Sequence, residues 1–196
     1  MNTWGSLAVA ALFASTAAVA QAPDRTPERG DGGIDEAQQQ QNAPRTPQEK
    51  AAAQATDQAK KDVDVAGIHL QVAKLYLAGL SGLAGAPSTW DREHGVALFT
   101  HAQTALTDAD GQLAELQGLA QRTWPQAREP LSRARGALVR AQGQLRSLSV
   151  PMRTGGGQDQ AGQTVIGQIT KTLDSSRDEL EAAAKAMGVD TKLRTP

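Results

Sequence analysis

Two groups of side chains in this chain have chemistry to offer. The first is a set of three histidines, His69, His94 and His101. Imidazole is the commonest metal ligand and titrates near neutral pH. His94 and His101 are seven residues apart, which places them on one helix face two turns from each other. In a helical hairpin turning near Ala86, His69 lies 17 residues before the turn and His101 lies 15 after it, so both are expected at similar heights. Asp91, Glu93 or Tyr76 would be at hand to complete a site. A metal needs three or four ligands converging within about 2 Å of the ion. The apolar pattern works against that, because His69 follows the stripe residue Ile68 whereas His101 precedes the stripe residue Ala102. No His-x-x-x-His and no Glu-x-x-His pair occurs. The plainer reading is three boundary histidines with no ligand role. The alternative is a metal- or haem-binding bundle using His69, His94 or His101, with Met152 and Met187 the remaining methionines beyond the amino-terminal segment. A pH-sensing histidine is a third use.

The second group is a run of arginines. Arg128, Arg133, Arg135, Arg140, Arg146 and Arg153 fall in one stretch whose only acid is Glu129. Residues 123–153 therefore carry a net +5, and the rest of the chain −6. One reading is a solvated face paired with acids on neighbouring helices, namely Asp108, Asp110 and Glu115 or Asp174, Asp178 and Glu181. The functional reading is docking of an anionic partner through Arg128, Arg133, Arg135, Arg140 and Arg146. The guanidinium fork suits phosphate and carboxylate because it engages both oxygens. The stretch lacks interleaved aromatics and a bulky apolar face of its own, which argues against single-stranded nucleic acid and against membrane insertion.

Other chemistries are missing. There is no cysteine, so disulfides, thiolate metal sites, cysteine nucleophiles and covalent haem attachment are ruled out. No Gly-x-Ser-x-Gly elbow or Ser-x-x-Lys pair appears. The Gly155–Gly157 run lacks the Gly-Lys-Ser/Thr of a phosphate-binding loop and reads as a flexible link. No enzymatic role and no resident cofactor are expected.

Helices must position these groups. The chain is rich in Ala, Gln and Leu and poor in β-branched and aromatic residues, which favours helix because such side chains lose little freedom there. Thr46-Pro47-Gln48-Glu49 reads as a capped helix start. A first helix is predicted from there to about Leu83, with Val65, Ile68, Val72 and Leu75 as its seam. Pro87 ends it, and Ser88 is the predicted cap of a second helix over Thr89–Arg122. That helix would bury Leu98, Ala102, Ala105, Ala109, Leu113, Leu116 and Ala120. Trp90 and Trp124, at its two ends, are expected to cover the core.

A third helix starts either near Trp124, with a kink at Pro130, or at Glu129. Its seam is Leu131, Ala134, Leu138, Ala141, Leu145 and Leu148, and Pro151 ends it. After a loop from Met152 to Gln163, a fourth helix carries Ile166, Ile169, Leu173, Ser176, Leu180, Ala183 and Met187. Gly188 is its carboxyl-terminal cap, with Val189 just beyond. The expected fold is all-α, an antiparallel four-helix bundle over 46–190, with a loose tail over 191–196. Helices two and three as one broken rod is the other arrangement.

Leu7 to Ala20 is an unbroken small and apolar run ending in Ala18-Val19-Ala20, the layout of an export signal cleaved after Ala20. Residues 21–45, with three prolines and the Gln38–Gln41 run, read as a disordered linker. With no cysteine after the apolar run, no lipoprotein anchor is expected. The second half of helix one, although apolar, holds His69, Gln71 and Lys74, so no integral span is expected in the mature chain. The formal net charge of −1 argues against general nucleic-acid binding. The expected protein is periplasmic or secreted and non-enzymatic. It acts on a protein or an anionic envelope component, and an oligomer remains open because the seams can pair between chains as well as within one.

Overall fold

The computed structural model describes residues 46–85, 91–154 and 160–191, and gives backbone only for 152–154. The export signal, the linker, Ser88, Trp90, the Gly155–Gly157 link and the end of the tail lie outside the described residues.

Helix α1 spans Pro47–Ala84 and begins at the cap read from the sequence. The Thr46 hydroxyl accepts from the Glu49 amide at 3.2 Å, and the Glu49 carboxylate accepts from the Thr46 amide at 2.7 Å. Two otherwise orphaned amides are thus satisfied reciprocally, and Pro47 stands where no amide hydrogen is needed. Helix α2 spans Arg92–Thr123. Its cap is Asp91 rather than Ser88. The Asp91 carboxylate accepts from the Glu93 and His94 amides at 2.9 and 3.3 Å, placing an anion at the positive end of the helix.

A 3-10 turn at Pro125–Ala127 then reverses the chain into α3, Arg128–Ser147. The third helix thus starts at Arg128, and Pro130 sits in its first turn, where it breaks no hydrogen bond. Pro151 does not end the helical path as expected. It lies in the first turn of a short helix α4, Ser149–Thr154, where its missing amide hydrogen again costs nothing. Helix α5 spans Gln160–Ala186. It closes on Gly188 at φ +70, with the Val189 amide donating to the Ala184 carbonyl at 2.9 Å and Val189 buried. Glycine fits there because the left-handed region has no side-chain penalty for it.

The four long helices form an antiparallel ring. Helix α1 packs on α2 and α5, and α3 packs on the same two, so α1 and α3 are diagonal. Cross-helix contacts set each direction. His69 meets Asp108 and Tyr76 meets His101 between α1 and α2. Arg135 meets Asp110, and the Gln142 amide donates to the Leu106 carbonyl, between α2 and α3. The Ser176 hydroxyl donates to the Ala134 carbonyl, and Thr172 to Gln144, between α5 and α3. In every pair one number rises as the other falls. Helices two and three are therefore neighbours folded back on each other, not one rod.

The core is built from the expected stripes of α2, α3 and α5. All the predicted seam residues of α3 and α5 are buried, Met187 and the polar Ser176 among them. In α2 only Leu98 is left half-buried, while Phe99 and Leu106 join the core. Helix α1 corrects the sequence reading. Its buried stripe is Ala59, Val63, Ala66, Leu70, Ala73, Leu77, Leu80 and Ala84. Ile68 and Leu75 are 58% and 62% exposed instead. The longer stripe wins because it runs nearly the length of the bundle. Its alanines also let a neighbour approach closely, where a short seam of branched side chains would hold it away. Among the described residues no helix is long and apolar enough to cross a membrane.

Candidate functional site

The histidines fall on a polar ladder along the α1/α2 interface. Asp62, His69 and Tyr76 recur every seven residues on α1, and Glu115, Asp108 and His101 recur every seven on α2. Antiparallel packing sets them opposite one another. Nδ1 of His69 lies 3.9 Å from Oδ2 of Asp108, an ion pair whenever the imidazole is protonated. The His101 ring stacks on Tyr76 with centroids 5.0 Å apart and planes 24° from parallel. Asp62 is buried at 5% exposure and accepts from the Gln58 amide at 2.6 Å. Burial pushes the Asp62 carboxyl above its ordinary value and the Glu115 charge adds to this, while the Gln58 hydrogen bond and Lys61 oppose it.

Successive rungs stand about 10 Å apart along the helices. His69 and His101 are thus on different rungs rather than at one height, because the hairpin axis falls later than Ala86. His94 is exposed in the first turn of α2. Among the described residues, no group of three or more His, Cys, Asp or Glu side chains could hold a metal ion.

The arginines of α3 divide into engaged and open. Arg128 donates to the Gln121 carbonyl across the α2/α3 turn. Arg133 bridges Glu179 on α5 at 2.9 Å and Glu129 on its own helix at 2.6 Å. Arg135 reaches Asp110 on α2 at 2.7 Å and Gln117 at 3.2 Å. Hydrogen bonds to Glu179 and to Asp110 raise the pKa values of Arg133 and Arg135 respectively, holding both firmly charged. Arg140 and Arg146 are exposed, and neither has an ion pair among the described residues. Val139, 53% exposed, adjoins Arg140 and lies seven residues before Arg146, with Gly136 three residues before it and Gly143 four after. A side chain at Gly143 would meet nothing, and one at Gly136 would meet only the Arg140 guanidinium at 3.7 Å. The outward face of α3 is therefore a low, weakly apolar strip flanked by two open guanidinium groups. The chain has no Asp or Glu from Pro130 to Thr154.

On the far side of the bundle, α1 and α5 are separated by a groove of about 950 Å³. Ile68, Leu75, Ala78 and Leu173 line it, and Lys74 on its rim pairs with Asp174 at 2.6 Å. No protein-family model, curated protein or solved structure matches this chain.

Two features escape a reading of the sequence by stripes alone. One is the ladder, whose signal is a pair of seven-residue repeats of ionisable groups converging on one link. The other is the separation of engaged from open arginines. That depends on which side of α3 faces α2 and α5, and the seam residues Leu131 and Leu138 already imply it.

Proposed function

We propose that this chain is an exported helical bundle that acts by contact rather than catalysis, docking an anionic partner on the outward face of α3. One observation carries the reading. Arg140 and Arg146 stand open beside the exposed Val139, whereas Arg133 and Arg135 are engaged in holding α3 to its neighbours. A guanidinium with no internal acid gains more from an external phosphate or carboxylate than one already neutralised. The amino-terminal apolar run and the linker support an extracytoplasmic setting, where envelope components supply such groups. A net charge of −1 leaves the attraction local to this face and makes nucleic acid a poor partner.

The test is cosedimentation of the mature chain with phosphatidylglycerol vesicles, with poly-glutamate capture as a parallel arm. Binding in the first arm assigns a phosphate surface, and in the second a carboxylate partner. Either binding should be lost in Arg140→Ala with Arg146→Ala. Binding to neither probe, or binding indifferent to the double substitution, overturns the reading.

A further inference from the structure

Helix α1 carries two stripes at 3–4 spacing, and the bundle buries only one. The second, outward stripe runs Gln58, Lys61, Val65, Ile68, Val72, Leu75, Gly79 and Gly82. Its apolar middle holds Ile68 and Leu75, both more than half exposed, with Val65 and Val72 half-buried beside them. A stripe of this period on a helix surface is what a second helix packs against.

The residues along the stripe say which helix. Set against an antiparallel copy of itself about a centre near Leu70, the stripe matches end to end. Ile68 falls opposite Val72 of the copy, and Val65 opposite its Leu75. The long side chains Lys61 and Gln58 fall opposite Gly79 and Gly82. Apolar thus meets apolar, and the Lys61 stem meets a glycine that leaves it room to lie flat with its head in water, while Gln58, its amide held by Asp62, meets Gly82. Nothing in the bundle lies within 4 Å of a side chain built at Gly82, and only the flexible end of Leu98 is close at Gly79. The flanking Asp64 falls opposite Ala78 of the copy, so no like charges are forced together. The near-neutral chain adds no long-range repulsion between copies. The copy would also roof the groove between α1 and α5, which Ile68 and Leu75 line from the α1 side.

We infer that the chain self-associates as a two-fold dimer through antiparallel pairing of the outward stripe of α1, Ile68 and Val65 packing on Val72 and Leu75 of the second copy. The interface is on the helix diagonal to α3, so it neither requires nor competes with the docking face proposed above.

Sedimentation velocity of the mature chain over a wide dilution series tests the association. A dimer that dissociates on dilution is expected, with Ile68→Glu and Leu75→Glu monomeric throughout and unchanged in helical circular dichroism. Because the chain has no cysteine, register can be read directly. Val65→Cys and Leu75→Cys are made as separate chains, mixed and mildly oxidised. Antiparallel pairing joins the 65 position of one chain to the 75 position of the other in preference to like with like. A monomer at every concentration overturns the inference, and so does a dimer untouched by both charge substitutions. A preference for like-with-like disulfides overturns the antiparallel arrangement.

Discussion

Tyr76 and His101 stack across the α1/α2 seam with centroids 5.0 Å apart, and one seven-residue step along both helices His69 meets Asp108. This fixes how the first two helices slide against each other. Moving either helix by one residue would part both pairs together. A double-mutant cycle on Tyr76→Leu and His101→Ala, read by urea unfolding, should return a coupling of about 0.5–1 kcal/mol, the scale of an aromatic contact beyond its area. A coupling of zero would mean the rings touch without helping to set the register.

Asp62 gives the hairpin a dependence on pH. Burial and the Glu115 charge hold its carboxyl above the ordinary value of 3.8, so the folded chain binds that proton more tightly than the unfolded chain does. Its contribution is therefore most favourable below the unfolded value. It is lost as pH rises through the folded value, and is flat above that. Asp62→Asn keeps an acceptor for Gln58 and removes the buried charge. It should stabilise the protein at neutral pH, on the order of 1 kcal/mol or less. It should also flatten the mildly acidic limb of a stability–pH curve measured by thermal unfolding. Loss of stability at neutral pH would show that the carboxylate is better accommodated than its surroundings suggest.

The arginines of α3 should separate into two classes when removed. Arg133→Ala and Arg135→Ala each break a contact to another helix and should lower stability, Arg135→Ala by up to about 1 kcal/mol, the upper end for an exposed ion pair. Arg140→Ala and Arg146→Ala break none and should stay within about 0.5 kcal/mol of the parent. Chemical denaturation of the four single variants is enough to decide.

Which face of α1 is core can be settled with two truncations two residues apart. Leu70→Ala removes a fully buried side chain and should cost about 2–5 kcal/mol. Ile68→Ala removes one that is 58% exposed and should cost well under 1 kcal/mol in the monomer at high dilution. Equal losses would restore the seam first read from the sequence.

That last pair also marks where the sequence was legible. Helices α3 and α5 could be read residue by residue, because each carries a single apolar stripe on an otherwise polar surface. Helix α1 could not, because it has two stripes. The one with the larger side chains, Val65 to Leu75, gives the stronger apolar signal in the sequence, and the longer, alanine-bearing one is buried. Side-chain size misleads where close helix approach rewards alanine. The start of α2 was misplaced for a related reason. Ser88 and Asp91 are both good caps by residue type, and the Asp91 carboxylate accepts the Glu93 and His94 amides. The arginine-rich helix stood out from composition, but the division between Arg133 or Arg135 and Arg140 or Arg146 needed the positions of Glu179 and Asp110 on other helices.

The most direct test of the docking account is the salt dependence of binding to phosphatidylglycerol vesicles or poly-glutamate, whichever binds, in two double variants. Exposed charges are screened over about 8–10 Å near physiological ionic strength, so affinity of the parent should fall steeply as salt is raised. Arg133→Ala with Arg135→Ala should retain most of that affinity and its slope. Arg140→Ala with Arg146→Ala should lose both. A shared loss in the two variants, or an affinity that ignores salt, would contradict the claim that open arginines on the outward face of α3 do the binding.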